Sequence, residues 1–361
     1  MDISVVCPRV RLLFSSKEAF MATLTRASQE LFRRSKDERF SSLDALYAYT
    51  RSQKEQSKDS WVPPNELIPK GDDRLALQVN GFGMHTLNHW SFQQLCTLAG
   101  VAKETVNKVS AETAALVLRE TLPQQGKPFQ VLSTDRSVRA IHGPAYTRLW
   151  NVDLLSVVKE YAVDFQPPQK GFNGGTGLYA GEEDLFIFLI DPLGWTDIGG
   201  QNFCPGFFLW NSEVGKRALG MTCFWLQEVC SNHICWGATE VEEFSRKHTR
   251  SVGNGLDDIR RIIDGFTARR DQRIDGFAKA ITSAMKTKLG DDAEKVLKIL
   301  QNNTIPRNLA KRALEACTES GERFTIFAIV DQLTRFAQEA EYAGERVEID
   351  TKASKLLELA I

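Results

Sequence analysis

Nowhere in the 361 residues do 18 apolar residues follow one another, so the chain lacks the run a membrane-crossing helix needs. It also lacks the layout of a secretory signal. The opening residues, MDISVVCPRVRLLF, place Asp2 early and set Arg9 and Arg11 inside the apolar stretch, where a signal has a basic start and an unbroken apolar centre. Cysteine is sparse and odd in number: seven residues and no CxxC pair. That excludes a disulfide framework and points to reduced thiols in a cytoplasmic protein. A net charge of −1 excludes a wholly basic nucleic-acid coat protein.

The signatures of catalysis are missing too. Ser212 lies in NSEVG, without the flanking glycines of a nucleophile elbow. The glycines of GFNGGTG (Gly171, Gly174, Gly175 and Gly177) miss the GxGxxG register, and no GxxxxGK[ST] loop exists, so nucleotide binding has no support. Cys223, Cys230, His233 and Cys235 invite a zinc reading, but their intervals of seven, three and two residues do not form the knuckles that zinc favours. They read instead as small apolar residues of a strand core. Glu182 to Asp184 read as a solvated turn. With Asp191 and Glu213 they could hold magnesium in a nuclease, and Asp184, Asp191 and Glu213 are the candidates for that alternative. The expectation is a non-enzymatic protein with no cofactor and no metal.

What is present is an α+β pattern: a central antiparallel sheet flanked by helices, with a helical C-terminal third. Residues 1–60 read as a helical or partly flexible leader ending in the polar linker RSQKEQSKDS, 61–238 as an α+β core, and 239–361 as a helical region. Arg74–Asn80, Phe129–Ser133, Val138–His142 and Leu185–Ile190 have strand character. Ser91 and Asn151 are candidate helix caps. A helix is expected over Lys103–Leu122, and others over Glu240–Arg250, Leu256–Lys288, Asp292–Gln301, Leu309–Thr318 and Ile326–Ala343. Gln93–Val109, two helical runs meeting at Gly100, has the spacing of a helix-turn-helix and makes a duplex DNA-binding regulator a second alternative.

The segment Phe203–Gly237 is the densest in aromatic and β-branched residues, yet it carries Asn211, Ser212, Glu213, Lys216 and Arg217 in its middle. Two buried strands sharing a polar turn are expected there, with the turn offered to a ligand. Around it lies a set of basic and aromatic residues: Arg136, Arg139, His142, Tyr146, Arg148, Trp150, Lys170, Phe172, Lys216 and Arg217. Cations interleaved with rings suit a single strand, whose phosphates need charge and whose bases need stacking surfaces. Between Arg246 and Arg273 eight Lys or Arg stand against four Asp, and Arg246, Lys247, His248 and Arg250 form a second basic patch. Lys216→Glu with Arg217→Glu is expected to abolish binding and leave the fold intact, because both residues sit in a turn.

The order of TDRSVRAIHGPAYTRLWNVDLL, EEDLFIFLID, PGFFLWNSEVGKRALGMTCFWLQEVCSN, RKHTRS and ERFTIFAIVDQLTRFAQ resembles the phage/plasmid-like family, a domain of unknown function, over roughly residues 61–340. The resemblance carries no activity or site residues. Its setting on mobile DNA implies recombination, replication or protection of incoming DNA. By analogy of fold it implies a single-strand annealing protein that assembles into rings or filaments, with a single-strand-binding protein or an exonuclease as possible partner. A decoy that blocks a host defence complex is a further alternative.

Overall fold

A computed structural model describes residues 32–79, 81, 83–168, 177–228, 233–235, 244–248, 253–268 and 270–361. The architecture is α+β, built on two sheets rather than one. The larger sheet has strands in the order β1 (Glu38–Arg39), β8 (Leu178–Ala180), β9 (Leu185–Ile190), β11 (Gln201–Asn211), β12 (Leu219–Gln227) and β13 (His233–Ile234). Within it β10 (Thr196–Ile198) pairs with β11 and β14 (Phe244–Arg246) pairs with β12. The smaller sheet runs β2 (Lys58–Val62), β6 (Phe129–Ser133), β7 (Ser137–His142), β5 (Gly83–Leu87), β4 (Leu75–Val79) and β3 (Leu67–Gly71). All pairs are antiparallel except β5 with β7.

Apolar periodicity explains the burial of each sheet. Every residue of β9 is buried, because both faces of the large sheet are covered and a strand so placed reads as an unbroken apolar run. Leu185, Ile187 and Leu189 pack towards α1 (Leu43–Glu55), α5 (Asn151–Tyr161) and α6 (Asn254–Ala268). Phe186, Phe188 and Ile190 pack on the other side with Phe208, Phe224 and Leu226. The small sheet instead alternates. Leu75, Leu77 and Val79 of β4 are buried against α2 (His89–Leu98) and α4 (Ala111–Thr121), while Ala76 and Gln78 face outward. The helical third, from α7 (Arg270–Lys286) through α8 (Ala293–Asn302), α9 (Arg307–Glu319), α10 (Ile326–Ala337) and α11 (Ala343–Ser354), closes on Phe203 and Trp225 of the large sheet. Among the described residues no helix is long and apolar enough to cross a membrane.

Several local expectations are corrected. The polar run Arg51–Ser60 is no linker: α1 continues to Glu55 and β2 starts at Lys58, paired with β6, so the boundary at 60/61 falls inside a strand. Leu46 of α1 is fully buried. Asn88, not Ser91, caps α2, and Ser91 completes the capping box. Asn151 is the first residue of α5, not its cap; Trp150 holds the cap position without a side-chain bond. The helix expected over Lys103–Leu122 breaks into α3 (Lys103–Val106) and α4, because Ser110 caps a new helix. A recognition helix in Gln93–Val109 is thereby reduced to one turn. The helix expected over Ile326–Ala343 ends at Ala337, and Phe244–Arg246 is strand where Glu240–Arg250 reads as helix.

Candidate functional site

The turn between β11 and β12 is polar, as its sequence demands, but it is buried. Asn211, Ser212, Glu213 and Val214 are at most 2% exposed. The turn inserts between the two sheets. Val214 packs on Leu132 and Ala140 of the β6–β7 hairpin, with Trp90 and Trp150 beside it, and the Trp90 indole N–H donates to the Val214 carbonyl at 2.6 Å. Gly215 adopts φ +73°, and a Cβ there would stand 2.6 Å from the His142 ring, so the approach requires glycine.

Most polar groups of the turn have a partner inside the protein, Asn211 Oδ1 being buried without one. Asn211 donates to the Leu149 carbonyl and to Asn151 Oδ1. Ser212 Oγ donates to the Glu183 carbonyl and accepts from the Lys216 N–H. The Glu213 carboxylate meets Arg139 at 3.1 Å, and its other oxygen accepts the Asn151 N–H at 2.8 Å. It therefore serves the N-terminus of α5 as a cap supplied from another element. The Glu213 carbonyl accepts from Tyr146 Oη and from the Arg148 guanidinium, and Arg148 also grips both oxygens of Asp59.

On the other side of the turn the charges form a network. Lys216 approaches Glu183 and lies over the Trp90 ring. Arg217 bonds Asp184 at 2.8 Å and reaches Glu348. Arg34 bonds Asp37 and Asp184, and His89 bonds Glu183 at 2.8 Å. Glu183 and Asp184 are 2% and 3% exposed, which overturns the reading of Glu182–Asp184 as a solvated turn. Burial alone raises a carboxyl, yet the bond from His89, with Arg34 and Lys216, holds Glu183 below its ordinary value. Asp37 is shifted up by burial, which Arg34 only partly offsets.

Three rings stack behind the turn: Tyr146 lies 3.7 Å from His142 and 5.4 Å from His248, centroid to centroid. Burial, aided by the charges of Arg148 and His248, pushes His142 down to about 3. Burial likewise lowers His248 and raises Tyr146. The stack is a neutral, largely buried filling beside Arg148, with His142 and Tyr146 partly accessible.

The residues expected to meet a ligand thus divide. Arg139, Arg148, Lys216 and Arg217 are brought together, but around internal carboxylates rather than an open groove. Tyr146, Trp150 and His248 are packed against them, and His248 is only 8% exposed. Arg136 and Lys247 are exposed, and Arg246 stands in β14 opposite Leu219. Lys170, Phe172 and Arg250 lie outside the described residues. Of the nuclease candidates, Asp184 and Glu213 are ion-paired, and buried Asp191 accepts the Leu193 N–H. Among the described residues no three His, Cys, Asp or Glu are grouped to hold a metal. Cys223 and Cys235 belong to clusters on opposite faces of the large sheet; Cys230 lies outside the described residues.

The sequence reading missed Trp61, 53% exposed on edge strand β2. Its only signal was the pair Trp61-Val62 after a polar run, hidden by taking the preceding residues as a linker. In register, Trp61 stands opposite Gln130, and Gln130 opposite His142. Comparison of the chain with protein-family models, curated proteins and solved structures finds no match.

Proposed function

We propose that the chain binds single-stranded DNA without covalent catalysis, and that it does so mainly by stacking. The observation that carries this reading is Trp61, its indole half in solvent at the end of the cross-strand row Trp61–Gln130–His142. Adjacent strands are about 4.8 Å apart, so this row spans about 10 Å. An exposed indole gives an unpaired base a face to stack on without reading its identity. Arg136 and Lys247 supply exposed cations for phosphates, while Arg139, Arg148, Lys216 and Arg217 hold the fold. Strand annealing, assembly into a ring or filament, a single-strand-binding protein or exonuclease as partner, and a cytoplasmic setting in a host of mobile DNA extend the same proposal.

The test is a titration of the protein against labelled 60-nucleotide single strands and matched duplex, at two salt concentrations, with and without magnesium. The expected result is preference for the single strand, intact DNA, and a shallow salt dependence, because Arg139, Arg148, Lys216 and Arg217 are already held by internal carboxylates. Trp61→Ala should weaken binding about tenfold or more with unchanged melting, since a stacked base contributes about 1–3 kcal/mol. Equal affinity for both forms of DNA, or an unaffected Trp61→Ala variant, would refute the stacking reading. Absence of binding to either form would leave a protein partner as the better account.

A further inference from the structure

At the end of β11 away from the polar turn, Gly200 and Gln201 open onto a cleft of about 500 Å³, within the size range of small-molecule sites. It lies between the β10–β11 turn, the C-terminal end of α7 and the first turns of α10. The chain around it fixes its walls. A Cβ on Gly199 would stand 2.8 Å from the Met285 sulfur, so the β10–β11 turn sits directly on α7. Lys288 and Thr325 form an antiparallel bridge. Beside it the Leu289 N–H donates to the Phe324 carbonyl and the Ile326 N–H to the Thr287 carbonyl. Thr325 then caps α10 by accepting the Ala328 N–H on its side chain. A cleft with rims hydrogen-bonded to one another is preformed, so a ligand does not have to order it.

One part of the lining is apolar and another donates hydrogen bonds. Met285 and Phe327 are partly buried against the helical core, and the Phe327 ring stands edge-on to Phe203 at 6.3 Å, which fixes its orientation. Buried Gln227 donates its amide to Gln201 Oε1 at 3.2 Å. Gln201 thereby keeps its own amide N–H groups, unbonded among the described residues, for the cleft it lines. The charged lining residues are Glu322, Arg323, Asp331 and Arg335. Buried Asp331 meets Arg335 at 3.3 Å, and Glu322 is exposed at the rim, where water screens it. Arg323 is exposed and makes no ion pair among the described residues; Asp291, which feels its charge, is itself bonded to Lys288. Its guanidinium is a planar fork of donors that matches a carboxylate or a phosphate. We propose that the cleft binds a small organic anion, a carboxylate or phosphate carried on a flat apolar body, with Arg323 and the Gln201 amide on the anionic head and Phe327 and Met285 on the body.

Met285 is one of five methionines, so methyl-labelled methionine gives a local reporter in the full-length protein, its signal assigned with Met285→Leu. Met84, exposed on β5, and Met221, buried in the large sheet, serve as controls. Phenyl phosphate and benzoate are the anionic probes, benzamide the neutral one and benzylamine the cationic one. With at least one of the anions the Met285 methyl is expected to show a saturating ring-current shift while Met84 and Met221 stay in place; the tighter anion identifies the head group. Benzamide and benzylamine should bind about tenfold more weakly or worse, as they cannot accept a charge-assisted bond from Arg323. Arg323→Gln should weaken the anions by about the same factor, with unchanged melting because Arg323 is exposed, and Arg323→Lys should recover part of the loss. No shift at Met285 with either anion overturns the proposal. So does benzamide or benzylamine binding as tightly as the anions, or an Arg323→Gln variant that binds them like the parent. The comparison of probes uses the parent protein alone, so it stands even if a variant fails to fold.

Discussion

Two strand-connecting turns carry similar chemistry and opposite fates. The β6–β7 turn holds Asp135 and Arg136, and the β11–β12 turn holds Glu213, Lys216 and Arg217. In the first, Asp135 meets Lys58 with the two side chains 83% and 60% exposed. In the second, the side chains of Glu213, Glu183 and Asp184 facing the cations are 0–2% exposed, though Arg217 also reaches the exposed Glu348. A turn is solvated when nothing lies beyond the sheet edge it leaves, and sealed when a second sheet does. Local sequence is alike in the two cases; the difference is made by Leu132 and Ala140, which offer Val214 an apolar seat. Exposed pairs contribute little because water screens them. Sealed ones couple strongly to folding, because breaking one leaves a bare charge in a dry place.

The sharpest way to break this comparison is to reverse charge in both turns. Lys216→Glu with Arg217→Glu places two new carboxylates beside Glu183 and Asp184. The expected loss exceeds about 5 kcal/mol, enough to leave no folded protein, so the variant cannot serve as a test of ligand binding. Asp135→Lys with Arg136→Glu should shift stability by no more than about 0.5 kcal/mol. Circular dichroism with urea unfolding compares them: the first double variant should show no cooperative transition and the second one close to the parent's. Similar stabilities would mean that the inner turn is not sealed.

Glu213→Gln is the next largest expected effect. The variant keeps the shape but removes the charge opposite Arg139 and weakens the cap on the Asn151 N–H. A loss of about 3 kcal/mol is expected, since one partner of a buried pair is left uncompensated. Adding Arg139→Met should recover part of it, because the stranded cation goes too. A double variant no more stable than Glu213→Gln would show that the cap on α5, not the ion pair, dominates.

Much of the fold was legible. Leu185–Ile190 read as an apolar strand and is one, and Phe129–Ser133 and Val138–His142, read as strands, pair as a hairpin around Asp135 and Arg136. Runs of one period are readable because the period itself encodes burial. The two-sheet division was not readable, since pairing partners far apart in sequence decide it: β2 joins β6 and β5 lies parallel to β7. The site was legible in its residues and not in their roles. Arg139, Arg148, Lys216 and Arg217 do gather, but their partners Asp59, Glu183 and Asp184 come from segments that read as linker or solvated turn. A cation's sequence neighbours do not reveal whether a carboxylate waits across the fold.

The smallest expected effect concerns pH and uses the partly buried His142 as a reporter. His142 in the folded protein titrates near 3, below the ordinary 6.5, so the native state takes up its proton less readily than the unfolded chain. Its contribution to stability is full above pH 6.5 and is lost as pH falls towards 3, by up to about 1.4 kcal/mol per pH unit. His248, also lowered, acts in the same direction. Asp350 acts in the opposite one. Burial pushes it up to about 7, against the pull of Arg346, so the native state holds this proton more tightly and loses stability as pH rises from 3.8 to 7. Between pH 4.5 and 6.5 the slopes oppose each other, and the parent protein should change little. Each single variant uncovers the other group: Asp350→Asn should become less stable on acidification, and His142→Gln should shift the slope towards loss at the alkaline end. Urea midpoints at pH 4.5, 5.5 and 6.5 decide it. Parallel, flat profiles for all three proteins would mean that the ring stack behind the β11–β12 turn admits water, and the contrast between the two turns would lose its basis.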